Sequence, residues 1–225
     1  MWAMATESLT VIDGPDSPAV YEHDQRKSRF IAQICHLADV AEVGDIVARV
    51  RSAAPKARHV VHVAVLGIDP GSRDVRMSDD GEPSGTASRP ILEVLRSRGL
   101  TDCLIVVTRY FGGVLLGAGG LARAYSAAAS GALGAATQAV LTVYEQYDVE
   151  ADYSAFAVVN RIVSRVGGRV SRADYTQSVR CGIVVPESSA GSFERLVVEE
   201  TAGMVVPRPR GAIRMPRPLA SDGDA

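Results

Sequence analysis

Residues 103 to 136 carry the pattern that most narrows what this chain can fold into. An apolar run, Cys103-Leu104-Ile105-Val106-Val107-Thr108, is followed by five glycines in nine residues (Gly112, Gly113, Gly117, Gly119 and Gly120), then by an alanine-rich stretch from Leu121 to Ala136. The β-branched run predicts a buried strand. The alanines favour a helix whose small side chains let it lie close against a sheet. The glycines between them free the backbone for positive φ and leave amides open to an anion at the helix N-terminus. A layered structure of helix on sheet follows.

The flanking sequence extends it. Phe30 to Cys35 reads as a strand. Asp39 and Glu42 form a capping-box pattern ahead of a helix whose Val40, Val43, Val47 and Val50 share one face, with Pro55 beyond its end. His59 to Leu66 predicts a strand bounded by Gly67, and Asp69 to Ser88 a long polar loop. Pro90 opens a helix with an Ile91, Leu92 and Leu95 face that Gly99 closes. In the second half, Val140 to Ala151 predicts a strand, Tyr153 to Val166 a helix, Arg169 to Tyr175 and Val179 to Val185 two strands, Ser188 to Glu200 a helix, and Met204 to Val206 a closing strand. That order, βαββαβ, is ferredoxin-like. The expected fold is α+β in two domains: a loose arm over 1–18, an N-terminal domain over 19–139, a C-terminal domain over 140–206, and an extended, basic, proline-rich tail over 207–225.

At 225 residues with 47% hydrophobic and 22% charged side chains, the chain has enough apolar surface for real cores. A net charge of −2 lacks the bulk positive field of a polyanion binder, so any nucleic-acid contact must be local. Cys35, Cys103 and Cys181 are odd in number, lie in apolar surroundings and lack metal-ligand spacing, as expected of free thiols in a reducing compartment. The first residues lack the character of a secretory signal, and no stretch reaches about 18 uninterrupted apolar residues. The expected location is the cytoplasm, away from membranes.

Two segments hold chemistry. Ser78-Asp79-Asp80-Gly81-Glu82-Pro83-Ser84-Gly85-Thr86 places three carboxylates in four positions, tolerable only if they are solvated, capped by backbone N–H groups, paired with arginine or neutralised by a metal. The second runs from Thr108 through Arg109, Tyr110, Phe111 and the glycines to Arg123, whose guanidinium would add donors at the helix start. Arg109 is a candidate partner for the acidic loop. His59 and His62, three apart in a strand, face opposite ways, which argues against a joint metal site. No nucleophile with a dedicated base is visible.

Taken together, Lys27-Ser28-Arg29-Phe30-Ile31, Ala57-Arg58-His59, the acidic segment through Ala87, Arg109-Tyr110-Phe111-Gly112-Gly113 and Leu116 through Tyr125 resemble the signature blocks of the IMPACT family, in its bacterial, YigZ-type branch. The resemblance spans residues 27 to 137, and Ser88 departs from the glycine that many relatives carry there. It implies an N-terminal domain like a small-subunit ribosomal protein and domain four of elongation factor G, a C-terminal domain like domain five of that factor, and a role in regulating translation.

Two functions from different classes are compatible with these residues. One is a non-enzymatic module that binds RNA, the ribosome or a translation-associated protein, without a cofactor. Local positive charge for it would come from Arg161, Arg165, Arg169, Arg172, Arg180 and the tail. The other is an Mg²⁺-dependent phosphate- or nucleotide-binding enzyme, with Asp79, Asp80 and Glu82 on the metal. Under either, the candidate binding residues are Lys27, His59, Asp79, Asp80, Glu82, Ser84, Thr86, Arg109, Tyr110, Gly112, Gly113, Gly117, Gly119, Gly120 and Arg123.

Overall fold

A computed structural model describes residues 8–67 and 71–219. The chain is α+β and divides into two compact units: the described residues up to Leu141 together with 216–219, and Thr142–Met215.

The first unit is built on five strands, β2 (Ala19–Gln25), β3 (Ser28–His36), β4 (His59–Leu66), β5 (Asp74–Ser78) and β6 (Cys103–Tyr110), in the order β2-β3-β6-β4-β5. Every pairing is antiparallel. Alternation along the strands separates two cores. Phe30, Ala32 and Ile34 of β3, Val61, Val63 and Val65 of β4, and Cys103, Ile105 and Val107 of β6 face helices α2 (Ser88–Ser97) and α3 (Ala118–Ala135). Cys35, Val60, Ala64, Leu104 and Val106 face α1 (Glu42–Ala53) on the opposite side. β6 is thus the buried central strand that its sequence predicts.

Local signals are realised in detail. The Glu42 carboxylate accepts from the Asp39 N–H at 3.1 Å, while Asp39 accepts from Ala41 at 2.9 Å. At the end of α2, Gly99 takes φ 67°; its N–H donates to the Arg96 carbonyl and that of Leu100 to Leu95, the paired bonds of a Schellman cap. Gly131 of α3 lies so close to the edge strand β2 that an added Cβ would stand 2.2 Å from the Tyr21 ring. This is the flush packing that the small residues of α3 predict.

Three expectations for this unit need correction. Within the supposed loose arm, Leu9–Val11 forms β1, paired with residues 138–140 and with Thr10 and Val11 fully buried; three residues are too few to show a period. Residues 1–7 of that arm lie outside the described residues. β2 was given no element in the sequence reading: it is a half-solvated edge strand whose Glu22, His23, Asp24 and Gln25 show no apolar alternation. The long loop after Gly67 contains β5, equally short and polar, so the true connection to α2 is residues 79–87.

The second unit runs β7 (Gln138–Ala151, from Thr142 onward), α4 (Tyr153–Arg165), β8 (Arg169–Tyr175), β9 (Val179–Pro186), α5 (Ala190–Glu200) and β10 (Arg208–Pro218, up to Met215). The strand order is β10-β7-β9-β8, so the element order is βαββαβ. Tyr147, Val149, Cys181, Ile183 and Val185 form one core with Val159 and Ile162 of α4 and Phe193 and Val197 of α5. Asp152 caps α4, accepting from the Ala155 N–H at 2.7 Å.

Here the closing strand is misplaced in the sequence reading. Residues 204–206 are not a strand, and only Val205 of the three is buried. The fourth strand is instead β10, made from the supposedly unpacked tail. An edge strand needs hydrogen bonds on one side alone, so it tolerates Pro209 and Pro216, and its composition hides it.

Candidate functional site

Strand register assembles the site. Arg109 of β6 lies between Phe30 of β3 and His59 of β4, each its direct cross-strand partner, so three side chains from distant sequence line up on the face beneath α3. Tyr125 of α3 meets Phe30 edge-on at 5.1 Å. Glu82 enters from the acidic segment. Its Oε1 accepts from Arg109 Nη1 at 2.6 Å and from the Tyr125 hydroxyl at 2.8 Å.

The Arg109–Glu82 pair is desolvated, with side chains 6% and 3% exposed. The guanidinium lies between the rings of Phe30 and Phe111, at 5.4 and 5.6 Å from their centroids. Its Nη2 reaches the Ser28 hydroxyl at 3.5 Å, while its buried Nε has no hydrogen-bond partner among the described residues. Burial, and after it the neighbouring Glu82 charge, push the Tyr125 phenol far above its ordinary value and keep it a donor. The Nδ1 of His59 lies 2.7 Å from the Asp80 carbonyl, which only accepts, so Nδ1 carries the proton. That leaves Nε2 as the free edge of the ring, 3.8 Å from Glu82.

The other two carboxylates go elsewhere. Asp79 accepts from the N–H groups of Gly85, Ala87 and Ser88 at 2.8, 3.3 and 2.7 Å and so holds the start of α2. Burial alone would raise its pKa, but the bonds from Ser88, Gly85 and Ala87 outweigh it and hold the carboxyl below the ordinary value. A glycine at position 88 would supply the same backbone N–H, and the Ser88 side chain adds a further hydrogen bond to Asp79. Asp80, at φ 46°, accepts from the Val60 N–H at 2.6 Å and pairs with Arg51 at 2.6 Å. Burial again opposes, and the Arg51 and Val60 bonds prevail, lowering its pKa. The three acids diverge onto three separate sets of partners. Among the described residues no group of three His, Cys, Asp or Glu side chains converges in a way that would hold a metal ion. Asp79, Asp80 and Glu82, offered as Mg²⁺ ligands only under the alternative reading, are sent in different directions by the turn that carries them.

Beside the buried cluster lies a groove of ≈ 380 Å³. Arg58, His59, Glu82 and Arg109 line one part, Phe111, Leu115, Leu116 and Leu121 another, and Gly117 and Ala118 at the start of α3 a third. Gly117, at φ 71°, precedes the helix, and no side chain caps it. Arg58 is exposed and lies over Phe111 at 5.6 Å. Leu115 projects at the rim, 82% exposed.

Of the candidate residues, His59, Glu82, Arg109 and Gly117 meet at this groove, and Gly119 and Gly120 follow in the first turn of α3. Gly120 is buried against Leu116. The remaining candidates lie elsewhere or do other work. Tyr110 points to the opposite face, alongside Val50 and Ala53. Lys27, at φ 65°, is in the β2–β3 turn, and Gly112 packs on it so tightly that a Cβ would be 1.9 Å from the Lys27 carbonyl oxygen. Gly113 supplies a φ of 81° to the loop. Ser84 is exposed, and Thr86 bonds the Pro83 carbonyl at 2.6 Å. Arg123 folds back toward Gly119 and does not line the groove. Arg58, Phe111 and Tyr125, which lie in the signature blocks but were not among the candidate binding residues, belong to the site. They stand beside chosen residues, and only the register reveals which share a face.

The arginines of the second unit offer less. Arg161 and Arg165 pair with Glu200, Arg172 and Arg210 with Asp148, and Arg180 with Glu150. A hollow of ≈ 480 Å³ there mixes Arg172, Arg180 and Arg208 with Asp148, Glu150 and Asp174. It is larger than the groove of the first unit, but its charges answer one another, so the cationic surface expected in this half is largely neutralised.

Residues 26–133 match the Impact N-terminal domain family. The chain is 31% identical over 189 residues to the IMPACT family member YigZ of Escherichia coli (strain K12), covering 84% of this chain and 93% of that protein. This chain belongs to the IMPACT family. It is also 32% identical over 177 residues to the IMPACT family member YvyE of Bacillus subtilis (strain 168), covering 79% and 81% of the two chains. A solved structure described as a crystal structure of an hypothetical protein overlays at a TM-score of 0.61 and 30% identity, over 89% of this chain and 97% of that one. The two-domain translational regulator Yih1 overlays at 0.36 and 20% identity, over 53% and 47%, too low for a shared fold to follow. No helix among the described residues is long and apolar enough to cross a membrane.

Proposed function

We propose that this IMPACT protein is a non-enzymatic regulatory module of the cytoplasm that engages RNA or the ribosome through the groove of its first unit. One observation carries the reading: an exposed guanidinium without a carboxylate partner among the described residues (Arg58), an uncapped start of an 18-residue helix and an apolar rim at Leu115 share one groove. Such a surface binds an anion with apolar character beside it. Glu82 is spent on Arg109 and Tyr125, and although the Asp80 carbonyl leaves His59 Nε2 open as a base, no Ser, Thr or Cys among the described residues lines the groove for it to activate.

The test is co-sedimentation of the purified full chain with ribosomes and with total RNA at rising salt. Binding at low salt that falls as salt rises, and that Arg58→Ala weakens several-fold, is expected. Association with neither, or association indifferent to salt and to Arg58, overturns the proposal.

A further inference from the structure

The groove contains more hydrogen-bond donors than a carboxylate ligand can use, and their arrangement specifies the group that would satisfy them. The first-turn N–H groups of α3 receive no side-chain cap. Arg58 brings a fork of donors to the same groove. An independent observation comes from Arg109, which lines the groove, is 5% exposed, and holds a buried Nε that no atom of the described residues satisfies. A buried donor left unpaired is unfavourable, and an acceptor that reached it would remove that penalty. Helix amides, a guanidinium and this Nε together call for three or more acceptor oxygens on one centre, as the terminal oxygens of a phosphate monoester supply. Glu82 is the one adjacent carboxylate, and its charge is already met by Arg109 and the Tyr125 hydroxyl.

The remaining surface suits a flat apolar body. The Arg58 guanidinium and the Phe111 ring lie together at the wall, and Leu115 stands open at the rim. Such a platform stacks a nucleobase irrespective of its sequence. A volume of ≈ 380 Å³ is that of a small-molecule site rather than a track for a polynucleotide. The acidic segment, whose members diverge, adds no metal site to it.

We infer that the groove is a metal-independent site for a nucleoside phosphate monoester, with the phosphate at the start of α3 between Arg58 and Arg109 and the base against Phe111 and Leu115. This rests on the groove being the functional surface proposed above. The monoester would be supplied by a free nucleotide or by the 5′-phosphorylated end of an RNA.

Calorimetric titration of the full chain, with EDTA present, tests it using inorganic phosphate, a ribonucleoside 5′-monophosphate, the matching nucleoside, and a short RNA with either a 5′-phosphate or a 5′-hydroxyl. Tighter binding of the monophosphate than of phosphate or nucleoside is expected. Arg58→Ala should weaken it about tenfold. Gly119→Asp places a carboxylate in the first turn of α3, where a Cβ meets nothing closer than 3.7 Å. This variant should abolish binding while leaving the melting temperature equal or higher, since an acid there favours the helix. A preference for the 5′-phosphorylated RNA over the free nucleotide identifies the RNA end as the source, and the reverse identifies the nucleotide. The inference falls if the monophosphate fails to bind at millimolar concentration, or if both variants bind it as the natural chain does. Ribosome association that Gly119→Asp abolishes, with no monophosphate binding, overturns the ligand and keeps the groove. Monophosphate binding lost in Gly119→Asp, with ribosome association absent, keeps the ligand and overturns the regulatory reading.

Discussion

At the scale of single residues, Glu82 holds the most consequential position in the first unit. Its carboxylate neutralises a guanidinium buried between two aromatic rings and also accepts from a buried phenol. Removing one member of a desolvated pair leaves the other charge unsolvated. Glu82→Ala should therefore destabilise the unit by about 3–5 kcal/mol in urea denaturation. Glu82→Ala with Arg109→Ala should cost less than the sum of the singles by about 1–3 kcal/mol. Additive losses would show that the pair does not act as a unit. The sequence made Arg109 a partner of the acidic loop, and it is. Which of the three acids it takes was not legible, because that depends on where a turn aims each side chain.

At the scale of elements, the start of α2 and the packing of α3 are the informative cases. Asp79 supplies the capping bonds of α2 from nine residues upstream, a contact that no local capping box encodes. Asp79→Ala should lower stability by about 1–2 kcal/mol, measured by thermal melting, with the groove otherwise retained. In α3 two glycines separate packing from propensity. Gly131 is pressed against Tyr21, whereas a Cβ on Gly134 meets nothing within 4 Å. Gly131→Ala is expected to lose about 1–3 kcal/mol through overpacking, and Gly134→Ala to gain up to about 1 kcal/mol from helix propensity. Equal effects at the two sites would refute the close approach of α3 to the edge strand. Strong periodicity made α1, α2, α3, α4 and the strands β4, β6, β8 and β9 legible. The edge strands β2, β5 and β10 were not, since polar residues and prolines mask the apolar alternation on which such reading depends; the edge strand β8 was found through its place next to β9.

At the scale of the whole chain, acid should act in two stages. His36 and His62 are both held below the ordinary imidazole value, first by burial, with Asp102 and Asp80 respectively opposing the shift. A folded-state pKa below the unfolded one means that the unfolded chain binds the proton more readily, so this stability is complete above about pH 6.5 and is lost as pH falls through that value toward the folded one. Asp79 and Asp80 are likewise held low, so their contribution persists until pH falls below about 4. Melting temperature should accordingly be flat from about neutrality to about pH 8, decline below about pH 6.5, and drop again below about 4. His62→Gln should flatten the first decline, and a melting temperature constant from pH 7.5 to 5 would refute it. His62 Nδ1 has no hydrogen-bond partner among the described residues, which is why burial dominates there.

What the sequence determined by itself was local: helix and strand periods, caps, the glycine turn at a helix start, and blocks specific enough to place the chain in its family. Tertiary structure alone decided which of those residues meet. Register set Phe30, Arg109 and His59 side by side, the fold brought Glu82 and Tyr125 onto them, and the acidic segment was divided among three destinations. The reason is physical. Periodicity records which side of an element is buried, whereas the direction of a turn and the pairing of distant strands are fixed only when the whole sheet closes its hydrogen bonds.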